Sequence, residues 1–338
     1  MAAARRLADD LLFPDAMRVD GLDVLPAAHL DALAAAGLYG APGPAEAGGL
    51  DLGLPALSAV AEELASGCLA TAFVWIQHFG LVRTLTGGWP ASPAREDWLA
   101  AACQGKLRGG IALAGLVPGP AMLRAEPAAP GGWRLHGAAP WVTGWGLVDL
   151  LLVVARGPGD TAVTLVMDAA PAPGLTVTRQ RLAAVDASST VRLGFDGRIV
   201  PAERFVSQVR FDPAASLRPE GLRVNGSLAL GIVLRCCRLI GSGPLDDELA
   251  ARRAQLDHAV TGDATAMARA RAAAAELALR ATAALAVHTG SASILAGQHA
   301  QRLTREAMFL LVFGSRPAIK AALLEKLGAA PYGGERYR

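Results

Sequence analysis

Between Pro140 and Gly146 the chain reads Pro-Trp-Val-Thr-Gly-Trp-Gly, and residues of these types at this spacing suit the holding of a flat ligand. Two indoles offer apolar faces for stacking, Thr143 offers a hydroxyl, and the glycines let backbone approach closely. Strand patterns lie on both sides. After a Gly-Gly turn, Trp133-Arg134-Leu135-His136 alternates apolar with polar, and Val148 to Val154 is an apolar run broken only by Asp149. The sequence predicts two short strands around a loop, and a loop of this make-up serves a ligand more often than a core.

Other residues with chemical capacity stand alone. His78 sits in a strongly apolar stretch from Ala70 to Leu85, where a lone histidine is more often a satisfied core residue than a base. Cys68, Cys103, Cys236 and Cys237 show no C-x-x-C spacing, so they read as small buried hydrophobes and no metal site is expected. No G-x-G-x-x-G follows a strand and no G-x-x-x-x-G-K-[ST] occurs, which leaves NAD and ATP sites unsupported. A serine hydrolase is unsupported as well, because G-x-S-x-G is missing.

A chain of 338 residues exceeds one ordinary core, so two or three domains are expected. An apolar fraction of 52% against 18% charged supplies those cores and argues against disorder. The net charge of +2, with no run of Lys or Arg, gives no field for nucleic acid. No apolar run approaches the roughly 20 residues a bilayer needs, so no membrane partner is expected. Met1 to Arg6 leads into an amphipathic pattern instead of a signal-peptide core, which predicts a cytoplasmic protein.

Periodicity places these residues on elements. Helices are predicted from about Ala3 to Leu107, among them Ala28 to Leu38, Pro55 to Ser66 and Ala70 to Leu85. A short strand and turn follow at Gly109 to Gly119. Further strands are expected at Val163 to Met167, Leu175 to Thr178 and Thr190 to Phe195, which with the central pair make an antiparallel β unit over about 110 to 208. Helices return at Asn225 to Ile240, Leu245 to Val260, Asp263 to Val287, Ala300 to Phe313 and Pro317 to Leu327, with a frayed tail from Gly328.

The central stretch resembles the acyl-CoA dehydrogenase family, in which a G-x-W-x-x-x-G-x-K-x-W-I-T-N segment packs on the flavin. Trp141 and Thr143 match its Trp and Thr, whereas Pro140 and Gly144 depart from the pattern. The order "LDALAAAGLYG", "GGLDLG", "AEELASGCLATAF", then a helix with a histidine, is similar to the family's N-terminal helical domain. The resemblance covers about residues 5 to 325 and implies an α+β architecture in three parts: an N-terminal α-helical domain (1–108), a middle antiparallel β-barrel (109–208) and a C-terminal helical bundle (209–338).

It also implies site residues. Where the family carries T-E-P-G-A-G-S-D against flavin and thioester, this chain has Ala114 for the Thr, Gly115 for the Glu and Pro120 for the Ser, and keeps Gly119. Ala114 and Gly119 therefore offer backbone groups to a cofactor, beside Trp141 and Thr143. In the closing segment Gly290, Arg302, Arg305 and Ala307 fit, with Glu306 for an Asp, but the Glu that removes the substrate's α-proton aligns with Gly314. Some branches place the base near the start of the bundle's first helix, where Glu220 is the substitute this chain offers. The Arg-x-x-Phe-Gly that reaches a neighbouring subunit's dinucleotide has no counterpart in Leu239 to Thr265, and Ala286 replaces a nucleotide-contacting Gln.

The resemblance implies an FAD-dependent oxidoreductase that dehydrogenates an acyl thioester carried on CoA or a carrier protein. The apolar faces of Leu228 to Ile240 and Met308 to Val312 predict association as a homodimer or related oligomer through the final helices. Two alternatives stand beside the dehydrogenase reading. One is a flavin monooxygenase on the same fold, with Trp145 and Phe313 as shielding; the other is a degenerate, non-catalytic partner subunit.

Overall fold

The apolar run at Val148 to Val154 lacks alternation because the strand built from it is covered on both faces. In the computed structural model, which describes residues 1–90, 93–213 and 218–330, Leu151, Val153 and Ala155 point into one apolar core. Leu150 and Leu152 point into another, shared with Leu81, Val82, Leu85, Ala102 and Cys103 from helices.

The strands among the described residues are β1 (Gly109–Ala112), β2 (Leu123–Ala128), β3 (Gly132–Val142), β4 (Leu150–Gly157), β5 (Thr161–Asp168), β6 (Leu175–Arg179), β7 (Val191–Val200) and β8 (Phe205–Arg210). They form one sheet in the order β6-β7-β3-β2-β4-β5-β8, with β1 also paired to β4. Two features correct the expected antiparallel barrel. β1 and β2 each pair β4 in parallel, the latter only at Arg124 opposite Arg156. In addition β6 and β8 remain edges, so the sheet curls over its core without closing.

Helices precede and follow the sheet. Before it come α1 (Ala2–Leu7), α2 (Phe13–Asp20), α3 (Ala27–Ala35), α4 (Leu54–Gly67), α5 (Leu69–Arg83) and α6 (Pro93–Cys103). After it come α7 (Pro219–Ile240), α8 (Pro244–Ala259), α9 (Ala264–Thr289), α10 (His299–Val312) and α11 (Pro317–Lys326). These agree with the periodic segments to within a few residues, save that α7 starts six residues before Asn225. Residues 331–338, which hold most of the tail expected to fray, lie outside the described residues.

The two helical groups share a core. Leu12, Leu57, Leu64 and Trp75 from the first pack with Leu228, Ile232, Leu277 and Leu303 from the second. The α4–α7 crossing is close enough that a Cβ on Gly231 would stand 2.5 Å from the Glu62 carbonyl oxygen, so glycine there is a packing requirement. Polar ties reinforce it: Arg235 donates to the Ser66 carbonyl at 2.7 Å and pairs with Asp9 at 2.7 Å, while Arg238 pairs with Glu63 at 2.8 Å. Leu228, Leu230, Ile232 and Val233 are consequently buried within the chain and are not the exposed interface expected of them; on α10, Met308 (49%) and Val312 (70%) are exposed.

Candidate functional site

β3 does not stop at Pro140 as its sequence suggests. It runs on to Val142 through a bulge: Ala139 faces Leu193 and Val142 faces Val191, so Pro140 and Trp141 together span one residue of β7. Proline has no N–H for the ladder, and the irregularity absorbs that loss. The Pro140 carbonyl accepts instead from the Gln180 side-chain amide. The bulge turns Trp141 outward, and its side chain stands 65% exposed.

Two residues on, Thr143 is 5% exposed and belongs to a row of hydroxyls: its Oγ1 lies 3.2 Å from Thr190 Oγ1, which lies 2.9 Å from Ser188 Oγ. Backbone ties fix the same two segments together, Gly144 N–H donating to Ser188 O at 3.0 Å and Trp145 N–H to Ser189 O at 3.2 Å. The turn between β6 and β7 is braced by Asp186, which accepts from Leu182 N–H at 2.8 Å and Arg179 at 3.1 Å. Val185 and Ser189 flank it at φ 54° and 52°, a left-handed conformation uncommon for non-glycine residues and found where a site over-determines its backbone. The turn is tied to both helical groups, through Leu25 N–H to Ala187 O at 2.9 Å and Arg305 to Ala183 O at 2.7 Å. Sequence reasoning missed this row, although Asp186-Ala187-Ser188-Ser189-Thr190 announces it as a run of small hydroxyl residues.

The remaining predicted positions are scattered. Ala114 places its methyl in the core of the sheet, so it faces any ligand only through backbone. Its neighbour Gly115 lies so close to β4 that a Cβ would meet Ala155 at 2.6 Å. Gly119 is an exposed turn residue at φ 101° with nothing within 4 Å of a Cβ. Glu220 is exposed in the first turn of α7.

Gly314 follows the end of α10 at φ 59°, and a Cβ there would lie 3.2 Å from the Asn225 amide nitrogen on α7. Five residues separate Asn225 from Glu220, about 140° round a helix, so the Glu220 carboxylate leaves α7 on another side. Beside Gly314, Phe73, Phe309 and Phe313 pack with centroids 4.9 to 5.4 Å apart. Behind it Arg271, only 2% exposed, donates to the carbonyls of Leu310 at 3.3 Å and Phe313 at 3.4 Å. Burial without an acid partner pulls this guanidinium down to about 10.

His78 is spoken for. Its Nε2 donates to Ala102 O at 3.1 Å and its Nδ1 accepts from Gly109 N–H at 3.0 Å, an arrangement that requires a neutral ring, and burial pushes it down to about 4. The four cysteines are free and buried, with thiols raised by burial.

Residues 1–106 match the model for "Acyl-CoA dehydrogenase, N-terminal domain". The curated relatives include short-chain specific acyl-CoA dehydrogenase of Bos taurus mitochondria, 27% identical over 68% of this chain and 58% of its own length. The first third of the chain is thus similar to the N-terminal domain of the acyl-CoA dehydrogenase family. Benzylmalonyl-CoA dehydrogenase of Aromatoleum aromaticum is 26% identical over 67% of this chain and 62% of its own. The matches thus span under two thirds of those relatives. The fold matches across nearly everything: butyryl-CoA dehydrogenase from Megasphaera elsdenii superposes with a TM-score of 0.81 at 18% identity, covering 97% of this chain and 96% of that one. Glutaryl-CoA dehydrogenase from Mycobacterium smegmatis gives 0.79 at 16%, covering 98% and 94%. No helix among the described residues is long and apolar enough to cross a membrane.

Proposed function

We propose that the protein is a flavoprotein oxidoreductase acting on acyl thioesters, with FAD held between the end of β3 and the helical groups. The reading rests on one observation: at the junction of sheet and helices, a tryptophan ring is turned outward by a bulge beside a buried row of hydroxyls. These residues fit a flat aromatic group. Trp141 has free ring surface for stacking, and Thr143, Ser188 and Thr190 hold the adjoining backbone in place. Ala114 and Gly119 contribute backbone alone. A flavin supplies a two-electron acceptor when bound. The glutaryl-CoA dehydrogenase neighbour was solved with FADH2, and the curated relatives carry acyl-CoA dehydrogenase names, which supports the substrate class.

The chain's own part is to orient the thioester and remove a proton. A carboxylate within hydrogen-bond reach ordinarily does the second, and Gly314 has none to offer. Glu220 is the candidate, placed at the N-terminal end of α7 with its carboxylate toward solvent. Dehydrogenation is accordingly weak. The exposed Met308 and Val312 on α10 support association of two copies along that helix.

Gly314 and the exposed Glu220 also favour a second reading, a degenerate partner subunit that does not itself turn over. Purified protein decides between them. Flavin absorption bands at one per chain, bleached anaerobically by a series of acyl-CoA thioesters, support the dehydrogenase. Flavin that no thioester bleaches moves the partner reading ahead, and a colourless protein that takes up no added FAD removes the flavin site.

A further inference from the structure

A second site lies away from the residues discussed so far. Where the open sheet brings β5 toward β7, a cavity of about 190 Å³ is lined by Asp168, Arg198, Glu203 and Arg204 among apolar neighbours that include Val166 and Val200. None of Trp141, Thr143, Ala114, Gly119 or Glu220 belongs to it. It sits at the end of β7 opposite Val191, the residue that pairs with Val142 beside the bulge.

Two of its arginines are incompletely bonded. The Nε of Arg198 and the Nη1 of Arg204 are buried without a hydrogen-bond partner. Arg204 spends its other amino group on Asp168, at 3.1 Å, and its guanidinium lies 4.6 Å over the ring of Trp98. Arg198 forms no ion pair or side-chain hydrogen bond among the described residues. An unmet buried donor costs about 1–3 kcal/mol, more when charged, and native structures leave few such groups without a water or an ion. Both residues line the one cavity, and two such groups there point to a shared acceptor.

Size limits what that acceptor is. Cofactor and drug-sized ligands occupy roughly 300–1,000 Å³, which excludes a nucleotide from being enclosed. Water alone would satisfy hydrogen bonds but not the unpaired charge on Arg198. A tetrahedral oxyanion has oxygens in several directions and accepts from two guanidinium groups on different segments at once. The carboxylates do not close the site to it: Asp168 is already neutralised by Arg204 and is 60% exposed, and Glu203 is exposed. They reduce affinity and make it depend on salt.

We infer that this cavity binds a compact tetrahedral oxyanion, free phosphate or sulfate or the phosphate end of a larger molecule, between Arg198 and Arg204. Equilibrium dialysis with radiolabelled inorganic phosphate, at ionic strength held constant with chloride, tests it on the full chain. One phosphate per chain is expected, displaced by sulfate and not by acetate. Arg198→Gln weakens binding at least tenfold, whereas Arg192→Gln, which removes the same charge from an exposed position of β7, leaves it within twofold. Near-UV circular dichroism of both variants without phosphate verifies that the comparison is between folded proteins. Competition by glycerol phosphate as strong as by free phosphate assigns an end-group site; its failure assigns the free ion. Absence of stoichiometric binding, equal displacement by acetate, or unchanged binding in Arg198→Gln would overturn the inference.

Discussion

The backbone N–H of Gly109 donates to Nδ1 of His78 at 3.0 Å, stitching the start of the sheet to the middle of α5. With Nε2 donating to Ala102, a protonated ring has no place for its second hydrogen. Burial holds His78 down at about 4, and His299 likewise at about 4. His29 is lowered too, chiefly by burial.

His78 and His299 are neutral in the native protein near pH 7 and take up a proton near 6.5 when unfolded. Between about 6.5 and 4 the unfolded chain therefore binds more protons, and stability falls as pH falls through that window. Urea denaturation should show little change from pH 8 to 7 and a loss approaching about 1.4 kcal/mol per pH unit per histidine below 6.5. His78→Gln should be destabilised at pH 7.5 by about 2–4 kcal/mol and show a shallower decline toward pH 5. An equal slope in the variant would show that His78 is not the group responsible.

Trp141 and Thr143 should separate binding from stability. Because Trp141 is largely exposed, Trp141→Ala is expected to change unfolding free energy by no more than about 0.5 kcal/mol while abolishing flavin retention, read from absorbance after gel filtration. Thr143→Val leaves Thr190 with one hydroxyl partner fewer and should cost about 1 kcal/mol. Flavin retained at wild-type stoichiometry in Trp141→Ala would move the site elsewhere.

Gly314→Ala tests the turn after α10. The new methyl meets the Asn225 amide at 3.2 Å and sits at φ 59°, so a loss of about 1–2 kcal/mol is expected. Asn225→Ala in that background should recover the steric part and leave the conformational part. Glu220→Gln addresses chemistry: any thioester-driven flavin reduction by the wild type should fall about 100-fold or more, and an unchanged rate means that Glu220 is not the base.

Arg302 and Glu306 form a buried pair at 2.6 Å, with the Glu306 carboxyl raised by burial against the pull of its partner. Arg302→Met alone should cost about 3–5 kcal/mol by stranding that carboxylate. The double variant Arg302→Met/Glu306→Leu should recover most of the loss in the same denaturation assay, since an apolar pair of similar volume needs no charge partner.

The helices were legible because their apolar faces repeat over long stretches, as in Leu57, Val60, Ala61 and Leu64 of α4. Six of the strands are legible too, but β2 and β8 carry no alternation that the sequence reading detects, and β3 reads as ending at Pro140: a proline reads locally as a break, and only pairing with β7 carries the strand past it. Sheet closure and parallel pairing depend on contacts between residues far apart, such as Gly109 with Leu150, and no local pattern encodes them. At the site, Trp141 and Thr143 could be found by type and spacing. The run of hydroxyl residues at Ser188 to Thr190 is visible in the sequence, but its pairing with Thr143 across the sheet is not, and the direction of Glu220 depends on where the first turn of α7 begins.

The shared core of the two helical groups also sets the order in which a nascent chain can finish folding. Leu12, Leu57 and Leu64 find their partners on α7 and α9, more than 150 residues later in the sequence. While the ribosome is still producing the sheet, the first hundred residues have emerged with that surface uncovered, for about 10–30 seconds at ordinary elongation rates. The sheet can settle meanwhile, but α4 waits for the last third of the chain. A premature stop anywhere before α9 would release a species that is part ordered and part adhesive, and holding chaperones should bind it through the helices at its beginning.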